Sequence, residues 1–171
     1  LHNPSLFPHM KRRFFLRAAL VVAGAGAVLG GTIFMRRGLA DGHLTDSGRE
    51  VLRGIARGVL SHVLPQDATA REAALTQHVG HMETFLLGLP AALRQEISLL
   101  LGLLGNTAGR AALTYMPTRW SDASVEQIQA ALETLRTHPM TTQKMVYHAV
   151  RDLTTLVFFG QPDNWKTAGY P

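Results

Sequence analysis

Apolar residues recur at the three- and four-residue spacing of an amphipathic helix over most of this chain, and no stretch alternates with the two-residue period of a strand. Val51, Leu52, Ile55, Val59, Leu60 and Val63 mark a first helix, with Thr45, Asp46 or Ser47 as its N-cap and Pro65 as its close. Thr69-Ala-Arg-Glu72 has the spacing of a capping box and predicts the start of a second helix, with Leu75, Val79, Met82, Leu86 and Leu89 facing inward. Pro90 suits the first turn of a third helix, which runs through Leu93, Ile97, Leu100, Leu101 and Leu104. Leu99 and Leu103 on its other side make it apolar nearly all round, the pattern of a central, buried helix. Gly105-Asn106 stops it, and residues 107–121, with Pro117 and an isolated Trp120, read as a turn or short helix. Asp122 or Ser124 opens a fourth helix carrying Val125, Ile128, Ala131, Leu132 and Leu135, which ends before Pro139. A fifth spans about Thr141 to Phe159 and stops at Gly160 and Pro162. The expected fold is all-α: a bundle of about five helices over residues 41–171, behind an N-terminal signal or anchor helix.

That N-terminal part has a different pattern. Lys11, Arg12 and Arg13 lead into an apolar, uncharged run from Ala18 to Met35, and Gly38-Leu39-Ala40 then sets small residues at the two spacings a signal peptidase reads. Basic, apolar and small-residue regions in that order mark an export signal over residues 10–40. Arg12-Arg13-Phe14-Phe15-Leu16-Arg17 resembles the twin-arginine (Tat) consensus: an arginine pair, a free position, then Phe-Leu and a base. Arg36 and Arg37 precede the expected cleavage after Ala40, where the Tat route accepts positive charge and the general secretory route tolerates it poorly. The run is also about long enough to cross a bilayer core of ~30 Å, so an uncleaved membrane anchor is the alternative. Residues 1–9 read as an upstream extension, with Met10 as the expected start. Gly24-Ala25-Gly26-Ala27-Val28-Leu29-Gly30 nearly spells a dinucleotide fingerprint, but Asp41 comes too early for the ribose and no amphipathic helix follows.

Charge divides at the same place. The net charge is +5, yet six of the 17 Lys and Arg and none of the 12 acids precede residue 41, leaving 11 bases against 12 acids in the remainder. A near-neutral domain has no general field for phosphates, so no nucleic-acid partner is expected. The absence of cysteine excludes covalent haem attachment, iron–sulfur ligation and thiol catalysis.

Few residues point to chemistry. His78 and His81 share a helix face near Glu83 and could supply two of the three or four ligands a metal needs, with His62 and His148 as further contributors. The plainer reading makes them helix-border histidines, and neither a metal, a cofactor nor a catalytic residue is expected in this chain. Arg49, Arg53 and Arg57 form a stripe, either a dock for an acidic partner or a solvated face. Five of the eight aromatic residues after position 40 lie near the C-terminus: Tyr147, Phe158, Phe159, Trp165 and Tyr170. The last two follow the final helix, as interface anchors or as a tail folded back over the bundle.

Arg119-Trp120-Ser121, the fifth helix, the closing Phe159-Gly-Gln-Pro-Asp-Asn-Trp165 and Gly169-Tyr170-Pro171, and the turn Val63-Leu64-Pro65-Gln66-Asp67 resemble the gluconate 2-dehydrogenase subunit 3 type of protein. The resemblance implies a small, Tat-exported, helical and non-catalytic subunit of a flavin-dependent dehydrogenase of the glucose-methanol-choline class. The expected partners are the Tat translocon, an FAD-bearing large subunit that oxidises a sugar or alcohol, and a c-type cytochrome subunit that takes the electrons. The expected location is the periplasm, at the inner membrane. Arg12, Arg13, Phe15, Leu16 and Ala40 would carry export, and Trp120, Tyr147, Phe158, Phe159, Trp165 and Tyr170 would carry the partner interface. The alternative from another class is a stand-alone, membrane-tethered periplasmic helical binding protein.

Overall fold

The computed structural model describes residues 37–169. They form a helical bundle of six α-helices and a closing 3₁₀ helix, preceded by a small hairpin. The hairpin pairs β1 (Leu39–Ala40) with β2 (His43–Leu44) in antiparallel register, Leu39 opposite Leu44 and Ala40 opposite His43. Its two-residue turn has Asp41 at φ 50° and Gly42 at φ 84°, the left-handed pair that Asp-Gly supplies in tight hairpins.

Helix α1 (Asp46–Val59) takes Thr45 as N-cap, the Thr45 hydroxyl accepting from the Gly48 N–H. It ends at Val59, earlier than Pro65, because Leu60 and Leu64 turn back into the core and are buried there. Helix α2 (Ala68–Leu87) starts one residue before Thr69: the Asp67 carboxylate, not a Thr69 box, accepts from the Ala70 N–H. Helices α3 (Ala91–Gly105) and α4 (Thr107–Thr114) meet at Asn106, whose side chain accepts from the Ala108 and Gly109 N–H groups. A single residue thus turns residues 107–114 into a separate helix, the short-helix reading of the two that the sequence left open for residues 107–121. Helix α5 (Val125–Thr137) begins at a full capping box between Ser124 and Gln127. Helix α6 (Thr141–Phe159) has the bounds its pattern predicts, and the 3₁₀ helix Pro162–Ala168 follows.

The hub of the bundle is α1, not the all-round apolar α3. Helix α1 packs on α2, α3, α5 and α6, with Val51, Leu52, Ile55 and Ala56 fully enclosed. Its glycines make this possible. A Cβ on Gly54 would lie 2.7 Å from the Trp120 Cβ and 3.0 Å from its ring, and one on Gly58 would press on Ile128. With hydrogens at these positions, α1 comes close enough for Trp120 to lie over it, 1 % exposed. The indole N–H then donates to the Leu104 carbonyl of α3 at 2.9 Å, which satisfies the one polar atom of a buried tryptophan.

Charged residues reinforce the same joints. Glu50 of α1 accepts from Arg119 (2.7 Å) and from the Ser121 N–H and hydroxyl, so Arg119 and Ser121 anchor the loop on either side of Trp120. The Arg119 hydrogen bond, aided by Ser121, holds the Glu50 carboxyl below its ordinary range despite partial burial. The buried Arg110 guanidinium donates to the Met116 and Pro117 carbonyls at 3.2 and 2.9 Å, which shapes the turn leading into that loop. Nor is the arginine stripe of α1 a free face. Arg49 pairs with Glu83, Arg53 with Glu72 and Thr76, and Arg57 donates to the Trp120 and Ser121 carbonyls.

Two glycine substitutions separate close approach from helix propensity. Gly54→Ala forces Trp120 to move and is expected to destabilise the fold by about 1–3 kcal/mol. Gly80→Ala, where an added Cβ meets nothing within 4 Å, is expected to stabilise it by about 0.5–1 kcal/mol. Urea denaturation of the two variants beside the parent chain measures both.

Candidate functional site

The aromatic set proposed for a partner divides between core and surface. Trp120 belongs to the core, since its ring is enclosed by α1 and its N–H is taken by Leu104, so it offers a partner nothing in this conformation. Phe158 is also buried, edge-on to His78 (centroids 5.8 Å) and to Phe159 (5.1 Å). Phe159 and Tyr147 are half-buried, and Tyr147 stands edge-on to the exposed His148 at 5.3 Å. Among the described residues of this set, only Trp165 is exposed, at 47 %. Tyr170 lies outside the described residues, as do Arg12, Arg13, Phe15 and Leu16. Ala40 is exposed in β1, opposite His43.

Trp165 owes its position to the end of α6. The last carbonyls of a helix have no partner within it, and here the tail supplies two. The Asn164 amide donates to the Phe158 carbonyl at 2.8 Å and the Trp165 indole N–H donates to the Phe159 carbonyl at 2.7 Å. Pro162 opens the 3₁₀ turn and Gly169 closes it at φ 80°. The tail therefore folds back as a cap and still presents an aromatic face. One edge of the indole is pinned and much of the ring remains outside. Leu156, exposed and one turn before Phe159 on the same side of α6, extends the apolar surface at this end of the bundle. Chemically this is a small, rigid aromatic platform suited to packing against another apolar surface.

The histidines do not assemble a site. His78 faces the core beside Phe158 at 2 % exposure, and neither ring nitrogen has a hydrogen-bond partner among the described residues. Burial, with a smaller contribution from His81, lowers its pKa to about 4, so it stays neutral at ordinary pH. Glu83 points elsewhere. It accepts from the Leu44 N–H at 2.9 Å and pairs with Arg49 and His43, which ties β2 to α1 and α2. Partial burial pushes its carboxyl up, but these partners outweigh that effect and hold it below its ordinary range. Among the described residues, no group of three or more His, Asp or Glu converges as a metal site, and no helix is long and apolar enough to cross a membrane.

The hairpin at residues 38–45 and the Arg110 loop anchor were both missed in the sequence. Asp41-Gly42 between Leu39 and Leu44 is a strong hairpin signal, masked by the competing fit of the same residues to the end of an export signal. Arg110 had no local signal, because its acceptors are carbonyls of a turn. The chain matches no protein-family model, no curated protein and no solved structure.

His78 generates a pH prediction. Its native pKa of about 4 lies below the ordinary 6.5, so between those values the unfolded chain binds the extra proton. Stability is therefore lost as pH falls from about 6.5 toward about 4, by up to about 3 kcal/mol. His78→Leu removes that group and is expected to flatten the fall, as measured by urea midpoints across the range.

Proposed function

We propose that this protein is a non-catalytic escort subunit, exported by the Tat route with a folded FAD-dependent dehydrogenase of the glucose-methanol-choline class. The observation that carries the reading is the arginine pair Arg12-Arg13 followed by Phe15-Leu16 and a long apolar run, placed ahead of a helical domain. Tat carries folded cargo. A flavoprotein loaded with FAD in the cytoplasm needs that route, and it can borrow the signal of a tightly bound partner. In this reading Arg12 and Arg13 engage the translocon and the helical domain grips the large subunit, with a c-type cytochrome subunit accepting electrons in the periplasm. The Trp165 platform, with Leu156 and Phe159 beside it, supports a docking role at the C-terminal end of α6. The short motifs shared with the gluconate 2-dehydrogenase subunit 3 type point the same way.

A tagged chain purified from its native host is expected to bring down a yellow protein with flavin absorbance. With Arg12→Lys and Arg13→Lys together, that flavoprotein is expected to remain in the cytoplasm. A chain that comes down alone overturns the reading. Trp165→Ala is expected to reduce the flavin recovered per chain by about tenfold or more, the loss typical of an interface anchor worth ~2 kcal/mol. The urea midpoint of the isolated chain reports separately on the loss of the α6 cap.

A further inference from the structure

The junction between the export signal and the helical domain is itself folded. A signal peptidase takes its substrate as an extended strand, pairing with its backbone groups and seating small side chains two residues apart in shallow pockets. Gly38 and Ala40 have the right size and spacing, but the groups such an enzyme needs are already occupied. The Gly38 N–H donates to the Ser98 carbonyl at 2.8 Å, and the Gly38 carbonyl accepts from the Thr45 N–H at 2.9 Å. The Leu39 N–H donates to the Ser98 hydroxyl at 3.0 Å, and that hydroxyl lies 3.2 Å from the Leu39 carbonyl. Ala40 is paired with His43 in the ladder.

Packing buries the two residues before Ala40, whose own side chain faces outward. Gly38 lies against Leu101 so tightly that a Cβ there would collide with it. Leu39, between the two small residues, is buried at 8 % exposure, with Leu44 opposite it. Directly after Ala40 the backbone enters the left-handed region at Asp41 and Gly42, so the chain cannot continue as a strand across the bond to be cut. On the far side, Glu83 holds Leu44 and His43, and Arg49 holds Glu83. Ser98 and Glu83 thus fasten the two strands to different helices, α3 and α2. Unzipping one strand leaves the other attached.

We propose that this hairpin is a lock on signal processing: in the folded chain it withholds the Ala40–Asp41 bond from signal peptidase, so the apolar segment before it stays joined to the helical domain. The inference rests on the export reading in one respect, since only a route for folded cargo delivers the hairpin already formed. The consequence is a subunit whose Ala18–Met35 run is retained after export and is available to hold it at the membrane.

The test needs no translocation, so it stands or falls apart from the Arg12 and Arg13 experiment. The purified full chain in mild detergent is incubated with purified signal peptidase and followed by intact mass, beside a synthetic peptide of residues 30–46. The peptide is expected to be cut between Ala40 and Asp41 while the folded chain keeps its full mass. Gly42→Val, which puts a β-branched residue at φ 84°, and Ser98→Ala, which removes the hydroxyl clasp on Leu39, are expected to be cut at least tenfold faster than the parent. Circular dichroism checks that each variant is folded, and Ser98→Ala decides if Gly42→Val is not. Cleavage of the folded parent at the peptide's rate overturns the lock. So does a peptide that is not cut, or a folded Ser98→Ala chain as resistant as its parent.

Discussion

Everything in the bundle depends on how closely other elements can approach α1. A helix flanked by four others must present surfaces that let each come near without forcing its side chains off their rotamers, and cores tolerate little excess volume. Gly54 and Gly58 provide that on the side where Trp120 and Ile128 arrive. Trp120 then joins α1 to α3 by laying its ring on one and donating its N–H to the other. The Arg119–Glu50 pair and the Ser121 contacts hold the loop that delivers it. Apolar burial sets the strength of this joint, and the polar contacts around it set its geometry.

Three short motifs among the described residues fall at such joints. Arg119-Trp120-Ser121 docks the α4–α5 loop on α1. In Leu64-Pro65-Gln66-Asp67, Leu64 enters the core, Asp67 caps α2, and the Pro65 and Gln66 carbonyls accept from Arg71. Phe159 to Trp165 ends α6 and ties off its carbonyls. Motifs of this kind specify how helices meet, because turns and caps need particular residues whereas helix interiors need only the right pattern. Their roles in this chain are structural, so the functional reading leans first on the arginine pair and on Trp165.

The arginines illustrate how tertiary structure redirects a surface. On sequence alone, Arg49, Arg53 and Arg57 form a stripe open to acidic partners or solvent. In the fold, two of them find carboxylates on α2 and the third finds carbonyls of the Trp120 loop. Such exposed pairs contribute little stability individually, but each arginine is already engaged within the domain. What remains outward at the far end of the bundle is aromatic, with the Trp165 ring held in place by its own N–H.

The sequence by itself determined the helical class, most helix positions and the bounds of α6, because periodicity, caps and breakers act within a few residues. Asn106, Ser124 and Gly160 act where they stand in the chain. It did not determine which helix is central. Helix α3 has the more apolar pattern, yet α1 holds the middle because centrality depends on which faces admit close neighbours, a property of pairs of elements. Nor did it place Trp120 inside and Trp165 outside. Both are tryptophans beside turns, and what separates them is tertiary: the room Gly54 leaves on α1 and the carbonyl acceptor each indole finds, Leu104 in the core or Phe159 at a helix end. The hairpin lies between these cases. Asp41-Gly42 encodes its turn locally, but Ser98 and Glu83, which fasten it, lie 59 and 39 residues from Leu39 and Leu44, so only the fold brings them to it.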